Sequence, residues 1–443
     1  MNKIKLATVF SGIGAIEHAF QRMNIPHEIV FACDNGDVDI FSKRIPLKKD
    51  LILNELNNCE ELLSNINDLD FSTKITETIN EIKLILQNEN LDVKTLKNCS
   101  DVTSMTLEKI NTLKAENDFN QLTTYKEKKT FVDNLYKKKE KQNKVKQSYF
   151  ENYDIDDSKW HWNIRFLDGT QYKDQVDIFV GGSPCQSFSI SGQRRGLEDT
   201  RGTLFYEYAR LIKEIQPKVF IYENVKGMLN HDKGNTWKTI QSVFDELGYT
   251  YSYKLMNAKD YGIPQSRARI FVVGFRKDLI LNKPFEFPKE IPLTTTVKDF
   301  LLDKVAKRYY SNNTVIVEEN NNSEKTIEDL EKYFLSEKLI NYVMSEGTKG
   351  FIIKPEIDTD IAKTLVKTMH KMHRASIDNY VTTAGRLRKL TPRECLRLMG
   401  FCDSFKITVS DTAMYMQAGN SIVVDVLVYI MQNILESYDF KEE

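Results

Sequence analysis

The sequence predicts an α/β protein with a doubly wound, mostly parallel sheet, a helical insertion and a second, smaller domain. Apolar, β-rich segments alternate with helical patterns at the start of the chain and again after residue 160. Between them lies a long stretch rich in Lys, Glu, Asn, Leu and Ile, with almost no Gly or Pro. The order becomes irregular past residue 275. A chain of 443 residues is long enough to form more than one domain.

The first elements form a β-loop-α-β unit within residues 1–41. A strand at 4–10 (IKLATVF) ends at the Ser-Gly-Ile-Gly turn of residues 11–14. A helix follows over 15–23, and a second strand at 28–33 ends at Asp34. This opening is typical of a Rossmann-like sheet.

Residues 42–160 are interpreted as a helical insertion, because apolar residues recur at helical spacing in stretches such as 74–87. Within it, the segment 137–146 holds six Lys and one Glu. A solvated helix face and a contact with the DNA backbone both fit such a charge run.

The sheet domain is expected to resume over 161–275. Its predicted elements are strands at 176–181, 218–222, near 250–256 and 269–275, and helices at 203–215 and 235–247. Residues 276–385 are predicted to form the smaller domain, and 386–443 to return to the sheet domain. There, Thr391 and Glu394 fit a capping box with a Pro at the first helical position. A final apolar helix is expected at 421–435, buried on most sides.

Composition narrows the class of protein without selecting a function. Lys plus Arg number 62 and Asp plus Glu number 63, so any nucleic-acid contact requires basic residues gathered on one face. The six cysteines show no C-x-x-C spacing, which argues against a zinc site and for free thiols in a reducing compartment. We see no signal peptide pattern and expect no apolar run long enough to cross a bilayer. A cytoplasmic protein with no bound metal and no membrane contact is therefore expected.

Two features at the ends of the first strands fit a nucleotide-containing ligand. Glycines in Phe10-Ser11-Gly12-Ile13-Gly14 would let a ligand approach the backbone, and Asp34 stands where a carboxylate can accept hydrogen bonds from ribose. The same arrangement serves NAD, FAD and S-adenosylmethionine, or a plain tight turn. Glu17 stands where a dinucleotide fingerprint needs its third Gly, which counts against a pyrophosphate ligand.

Three further segments place reactive groups at strand ends. Cys185 follows a strand within a loop rich in Gly, Ser and Arg, where nearby arginines could favour the thiolate; a small buried thiol in a turn is the alternative. Glu223 closes another strand and could act as a helix cap or as a bound acid. Arg267 and Arg269 alternate onto one face of a strand, where they could grip an anionic or carbonyl group or stay solvated.

Taken in order, these segments resemble the motif set of the DNA (cytosine-5) methyltransferase family of the bacterial restriction-modification type. The matching segments are Phe10-Ser11-Gly12-Ile13-Gly14, Pro184-Cys185-Gln186 with its extension to Phe205, Glu223-Asn224-Val225, Gln265-Ser266-Arg267-Ala268-Arg269, RKLTPRECLRLMGF at 388–401 and Gln417-Ala418-Gly419-Asn420-Ser421. The match covers about 1–40, 160–275 and 386–435. It departs from the family in the long insertion and in Asp34, where Glu is more usual.

The resemblance implies a class I S-adenosylmethionine-dependent methyltransferase fold, with 276–385 as target-recognition domain. It implies four catalytic residues: Cys185, Glu223, Arg267 and Arg269. For binding of S-adenosylmethionine, whose product is S-adenosylhomocysteine, it implies Phe10, Gly12, Ile13, Gly14, Asp34, Asp168, Pro184, Asn420 and Ser421. For DNA it implies Gln186, Ser189, Ser191, Arg194 and Arg195.

The implied partner is double-stranded DNA, bound by a monomer, with a cognate restriction endonuclease as a functional partner and a nucleoid-associated location in the cytoplasm. Two alternatives stay open. One is a tRNA cytosine-5 methyltransferase, although the long region before Thr391 favours DNA. The other is a catalytically silent DNA-binding protein of the same fold, although the retention of Cys185, Glu223, Arg267 and Arg269 argues against it.

Overall fold

The computed structural model describes residues 3–66, 68–183, 204–311, 314–321, 323–346 and 353–440. The chain divides into two compact units. The larger consists of Met1–Gly36 and Asn143–Glu443, and the smaller of Asp37–Gln142. The predicted α/β class with a helical insertion is confirmed.

The larger unit is built on a seven-stranded sheet. Its strands are β1 (Ile4–Val9), β2 (His27–Cys33), β3 (Trp160–His161), β4 (Ile178–Gly181), β5 (Val219–Val225), β6 (Tyr249–Asn257) and β8 (Ala268–Arg276), in the order β3-β2-β1-β4-β5-β8-β6. Strands β3, β2, β1, β4 and β5 pair in parallel, whereas β8 runs antiparallel to both its neighbours. Strand β5 extends three residues beyond the predicted end at 222, so Glu223 lies within the strand.

Helices cover the sheet with apolar faces. They are α1 (Ala15–Arg22), α6 (Lys144–Asn152), α7 (Leu204–Ile215), α8 (Asn235–Glu246), α11 (Pro392–Arg397), α12 (Asp411–Asn420) and α13 (Val424–Ser437). In α7 the seven buried residues recur at helical spacing, which is why this segment packs as one face on the sheet. Strand residues such as Leu6, Phe179 and Ile221 are fully buried between the layers.

The smaller unit is helical, as the sequence predicted. It contains α2 (Lys49–Leu63), α3 (Leu69–Leu86), α4 (Val93–Gln121) and α5 (Tyr125–Tyr136). Three of these helices begin at a side chain that accepts a backbone N–H, namely Asp68, Asp92 and Thr124. Their inner faces bury a cluster that includes Ile52, Leu56, Ile79, Leu86 and Ile110.

The end of the insertion differs from the predicted residue 160. Residues 143–160, including α6, belong to the larger unit. The polar composition of α6 resembles that of the preceding helices, but Tyr149 in this helix, Tyr153 directly after it and Trp160 pack into the larger unit. Composition therefore did not mark this boundary.

Residues 276–385 cluster with the larger unit rather than as a third compact unit. The strands and α-helices from this region through residue 389 are β9 (Val305–Ser311), β10 (Thr314–Glu319), β11 (Ala362–Lys363), β12 (Tyr380–Thr383), β13 (Arg386–Lys389), α9 (Ser323–Asp329) and α10 (Glu337–Val343). The short strand β7 (Gln265–Ser266) precedes this region, in the sheet domain. Strand β7 pairs in parallel with β11, which fixes this region against the sheet domain.

The C-terminal segment contains the predicted capping box, since Thr391 and Glu394 exchange side-chain and backbone hydrogen bonds. By length and composition alone, Asp411–Ser437 could cross a membrane, contrary to the expectation that no run is long enough. Of the apolar stretch within this segment, 67% is buried inside the protein, and α13 packs against α1. We therefore read it as a core element.

Candidate active site

A cleft opens where the strand order of the sheet reverses. Strands β1 and β4 lie side by side with Val9 opposite Gly181, and their carboxyl ends point to the same edge. The space within the cleft, including the part open to solvent, amounts to about 480 Å³. We call it the switch-point cleft, and its lining residues are Thr8, Val9, Phe10, Ser11, Gly12, Ala15, Ile16, Val180, Gly181, Gly182, Glu223, Asn420, Ser421 and Ile422.

Loop 10–14 has an unusual backbone. Phe10, Gly12 and Gly14 have φ values of 52°, 54° and 75°, in the left-handed region. A Cβ atom on Gly14 would also lie 2.2 Å from Cε2 of Tyr153, so this position excludes any side chain. The loop thereby brings its backbone to the cleft wall.

The structure places four of the predicted donor-site residues on the cleft wall and four others off it. Phe10, Gly12, Asn420 and Ser421 line the cleft, with Glu223 beside them. The four residues off the wall are Ile13, Gly14, Asp34 and Asp168.

The two aspartates have local partners. One carboxylate oxygen of Asp34 accepts from Gly12 N at 2.9 Å and the other from Gly36 N at 2.7 Å. Asp168 accepts from the backbone N–H and the hydroxyl of Thr170, at 3.1 and 2.5 Å. Asp34 therefore holds loop 10–14 in place, and the ribose and adenine contacts expected of the two aspartates stay predictions.

Glu223 and Arg269 form an ion pair at the edge of the cleft, with 3.1 Å between Arg269 Nε and Glu223 Oε1. The antiparallel pairing of β5 and β8 sets Arg269 opposite Val225, which brings the two side chains together. A Cβ atom on Gly182 would lie 3.0 Å from Glu223 Oε2 and 2.8 Å from its backbone oxygen, so the glycine makes room for this carboxylate. Burial raises the pKa of Glu223, and Arg269 and Arg267 oppose that effect. The carboxyl can therefore keep a proton at a higher pH than an exposed Glu.

Arg267 is 4% exposed and makes different contacts. Its guanidinium donates to the carbonyl oxygens of Leu365, Gly419 and Ser421 at 2.8 to 3.0 Å. Burial, followed by repulsion from Arg269, lowers its pKa. Arg267 thus fixes the segment 419–421, whose last two residues line the cleft, and does not share the position of Arg269.

A hydrogen-bonded group behind Glu223 was not predicted. Asn224 Nδ2 donates to Ser183 O and to Tyr222 Oη, each at 2.8 Å, and Ser183 Oγ lies 2.7 Å from Tyr222 Oη. Strand alternation puts Tyr222 and Asn224 on the face opposite Glu223. The sequence signal that could have predicted this group is Asn224, a polar residue next to Glu223 at the end of a strand. These bonds fix Ser183, the last described residue before the Cys185 loop.

The predicted nucleophile loop lies outside the described residues. This applies to Pro184, Cys185, Gln186, Ser189, Ser191, Arg194 and Arg195. The described cysteines Cys33, Cys59, Cys99, Cys395 and Cys402 are buried free thiols. Within the described ranges, no group of three or more His, Cys, Asp or Glu is arranged to hold a metal ion.

The fold and cleft define a class of protein. A seven-stranded sheet whose next-to-last strand in spatial order, β8, is antiparallel to its neighbours, and with a cleft at the switch point, is the class I S-adenosylmethionine-dependent methyltransferase fold. The crystal structure of S. pombe Dnmt2 methyltransferase superimposes with a TM-score of 0.53 at 15% identity, over 98% of this chain and 99% of that one. A putative DNA modification methyltransferase from an E. coli prophage gives 0.51 at 17% identity, over 98% of each chain.

Sequence comparison gives the family. The profile described as C-5 cytosine-specific DNA methylase matches residues 126–436. Type II methyltransferase M.HhaI of Haemophilus parahaemolyticus is 41% identical over 60% of this chain and 77% of its own length. Type II methyltransferase M.HpaII of Haemophilus parainfluenzae is 39% identical over 59% and 73%. The chain belongs to the C-5 cytosine-specific DNA methylase family and is a DNA (cytosine-5-)-methyltransferase that uses S-adenosylmethionine.

Proposed function

We propose that this enzyme methylates a flipped-out cytosine in a specific double-stranded DNA sequence through a covalent adduct with Cys185. The observation that carries this assignment is the Glu223–Arg269 pair, which stands at the edge of the switch-point cleft. The described chain before the Cys185 loop ends at Ser183, hydrogen-bonded to the residue after Glu223. This contact between Ser183 and the residue beside the acid supports the proposal.

The switch-point cleft suits the methyl donor. Phe10, Ile16 and Val180 offer apolar surface, whereas Ser11 and Asn420 offer polar groups. Bound S-adenosylmethionine supplies an electrophilic methyl group. We assign Phe10, Gly12, Ile13 and Gly14 to its adenosine and methionine parts, Asp34 to the ribose and Asp168 to the adenine amino group. Pro184, Asn420 and Ser421 complete the assigned donor site.

The cytosine ring needs covalent activation because its carbon 5 is a poor nucleophile. The Cys185 thiolate forms a bond to carbon 6, and the Glu223 carboxyl donates a proton or hydrogen bond to ring nitrogen 3. Arg269 holds the carbonyl oxygen, and Arg267 supports the pocket wall. After methylation of carbon 5, loss of the proton from carbon 5 and elimination of Cys185 restore the aromatic ring.

The target atom is inaccessible within a duplex, so the base must leave the stack. We assign Gln186, Ser189, Ser191, Arg194 and Arg195 to the DNA around the vacated position. Region 276–385 would read the neighbouring bases from the major groove. The segments 370–380 and 382–386 are the candidate contacts there.

Action on DNA, as in the restriction-modification relatives, implies a cytoplasmic location. Association with the nucleoid, binding as a monomer and a cognate restriction endonuclease are part of the proposal. The tRNA and catalytically silent alternatives are not favoured, because the matching family model is that of a C-5 cytosine-specific DNA methylase.

Cys185→Ala tests the proposed nucleophile. The variant should lose methyl transfer to duplex DNA because no other group can add to carbon 6, yet it should still bind DNA in a gel-shift assay. Cys59→Ala is the matched control, since Cys59 is a buried thiol of the smaller unit and should leave turnover unchanged. Turnover by Cys185→Ala at more than a trace of the wild-type rate would refute the assignment.

A further inference from the structure

Two tyrosines at the back of loop 10–14 come from a part of the chain that the sequence assigned to the insertion. The hydroxyl of Tyr153 lies 2.7 Å from Gly14 O and 3.0 Å from Ile13 O, and it donates to these carbonyls. The hydroxyl of Tyr149, in α6, donates to Glu17 Oε1 at 2.6 Å. Both side chains are buried.

The loop needs such support. Phe10 has a positive φ without being glycine, a conformation that persists only where surrounding contacts hold it. Gly12 and Gly14 also adopt left-handed conformations, and glycines impose little preference of their own. The shape of the loop is therefore set by its neighbours, namely Asp34 on one side and Tyr153 on the other.

Glu17 links α6 to the cleft wall. Its carboxyl is fully buried and accepts from Tyr149 and from the hydroxyl of Thr8, which in turn lies 2.7 Å from Ser11 Oγ. Thr8 and Ser11 both line the switch-point cleft. The hydrogen-bonded path thus runs from α6 through a buried carboxyl to two hydroxyls at the cleft.

The helix itself is fixed by the C-terminal segment. Ser148 Oγ donates to Gln417 Oε1 at 2.8 Å, and Gln147 Nε2 donates to Thr408 O at 2.9 Å. Asn152 exchanges hydrogen bonds with the backbone of Lys406. Because these hydrogen bonds fix α6, Tyr149 in this helix and Tyr153 directly after it can hold loop 10–14 in place.

We propose that Tyr149 and Tyr153 are positioning residues that keep loop 10–14 in the conformation that binds S-adenosylmethionine. This inference rests on the proposed assignment of the switch-point cleft to the donor. Neither tyrosine lines the described cleft, so their effect passes through Gly14 and Glu17. The residues act on donor binding and not on the chemistry of the cytosine.

Tyr153→Phe is the decisive variant, because it removes one hydroxyl and leaves no buried charge without a partner. The full-length protein should bind S-adenosylmethionine about two- to tenfold more weakly in calorimetry without DNA, the effect of losing one hydrogen bond. KM for the donor should rise by the same factor, while kcat at saturating donor stays at the wild-type value. Tyr149→Phe should change the same quantities in the same direction.

Glu151→Ala is the matched control, since Glu151 is an exposed residue of the same helix and plays no part in this support. It should bind the donor as the wild type does; an equal loss there would overturn the inference, because general damage to α6 would then explain the effect.

Phe10→Ala separates the two proposals. Wild-type affinity in both Tyr→Phe variants, with Phe10→Ala weakened, overturns the role of the tyrosines alone. Wild-type affinity in Phe10→Ala removes the cleft assignment on which both proposals rest.

Discussion

Arg267 and Arg269 lie two positions apart in one motif, yet their guanidinium groups reach different partners. Arg269 pairs with the Glu223 carboxylate, whereas Arg267 donates to three carbonyl oxygens. The sequence could predict that both arginines face the site. It could not predict which partners each arginine contacts, because the carbonyls of Leu365, Gly419 and Ser421 come from segments about 100 or more residues away.

Glu17 provides a pH-dependent prediction at the same scale. Burial raises its pKa from 4.5 to about 7, although hydrogen bonds from Tyr149 and Thr8 oppose the change. The folded chain therefore binds this proton more tightly than the unfolded chain. The free energy of unfolding should fall by up to about 3 kcal/mol as pH rises from 4.5 to 7 on account of this group alone.

Glu17→Gln should flatten that part of the pH profile in urea unfolding monitored by circular dichroism. Glu246→Gln, at an exposed position of α8, should keep the wild-type slope. An unchanged slope in Glu17→Gln would show that the carboxyl does not titrate in this range.

At the scale of elements, α11 shows what a local pattern can and cannot predict. The capping box of Thr391 and Glu394 was readable from four consecutive residues. The ion pair of Glu394 could not be predicted from these residues. Its two carboxylate oxygens each accept a hydrogen bond from the buried Arg388 at 2.8 Å, and Arg388 also pairs with Asp303. A side chain that caps a helix can thus also carry a buried ion pair that joins distant segments.

Arg388→Met should destabilise the protein by about 3 to 5 kcal/mol, because it leaves the fully buried Glu394 without its cation. Thr391→Ala removes only the cap and should cost about 1 kcal/mol. Chemical unfolding of the two variants measures the difference. Equal costs would mean that the ion pair contributes nothing beyond the cap.

The other predicted elements differ in how well the sequence specified them. Strands β1, β2 and β4 could be predicted because they are short, mostly apolar runs that end at or shortly before Ser, Gly or Asp residues typical of turns. The end of the insertion was not, because α6 shares the polar composition of the preceding helices while its Tyr149 packs into the sheet domain. Residues Tyr149 and Tyr153 were missed for that reason.

At the scale of the whole molecule, the two ends of the helical unit leave the sheet domain at neighbouring points. Asn143 Nδ2 donates to Asp34 O at 3.0 Å, and a Cβ atom on Gly36 would contact the Asn143 side chain. A unit inserted between adjacent points can be removed without stretching the remaining chain.

Replacing residues 38–141 by a short Gly-Ser linker should therefore preserve donor binding and methyl transfer to within about an order of magnitude. Deleting 60–150 instead removes Tyr149 and most of α6, and should strongly weaken donor binding. Calorimetry and a methyl-transfer assay on both proteins test this. Loss of donor binding in a folded 38–141 deletion would show that the helical unit is part of the donor site.

The covalent mechanism is tested most directly by a duplex that carries 5-fluorocytosine at the target position, incubated with enzyme and S-adenosylmethionine. Fluorine at carbon 5 blocks the final proton loss, so the adduct cannot resolve. The account predicts a denaturant-resistant protein–DNA complex whose attachment site maps by mass spectrometry to Cys185, and no complex with Cys185→Ala. An active enzyme that forms no such complex, or attachment at another residue, would contradict it.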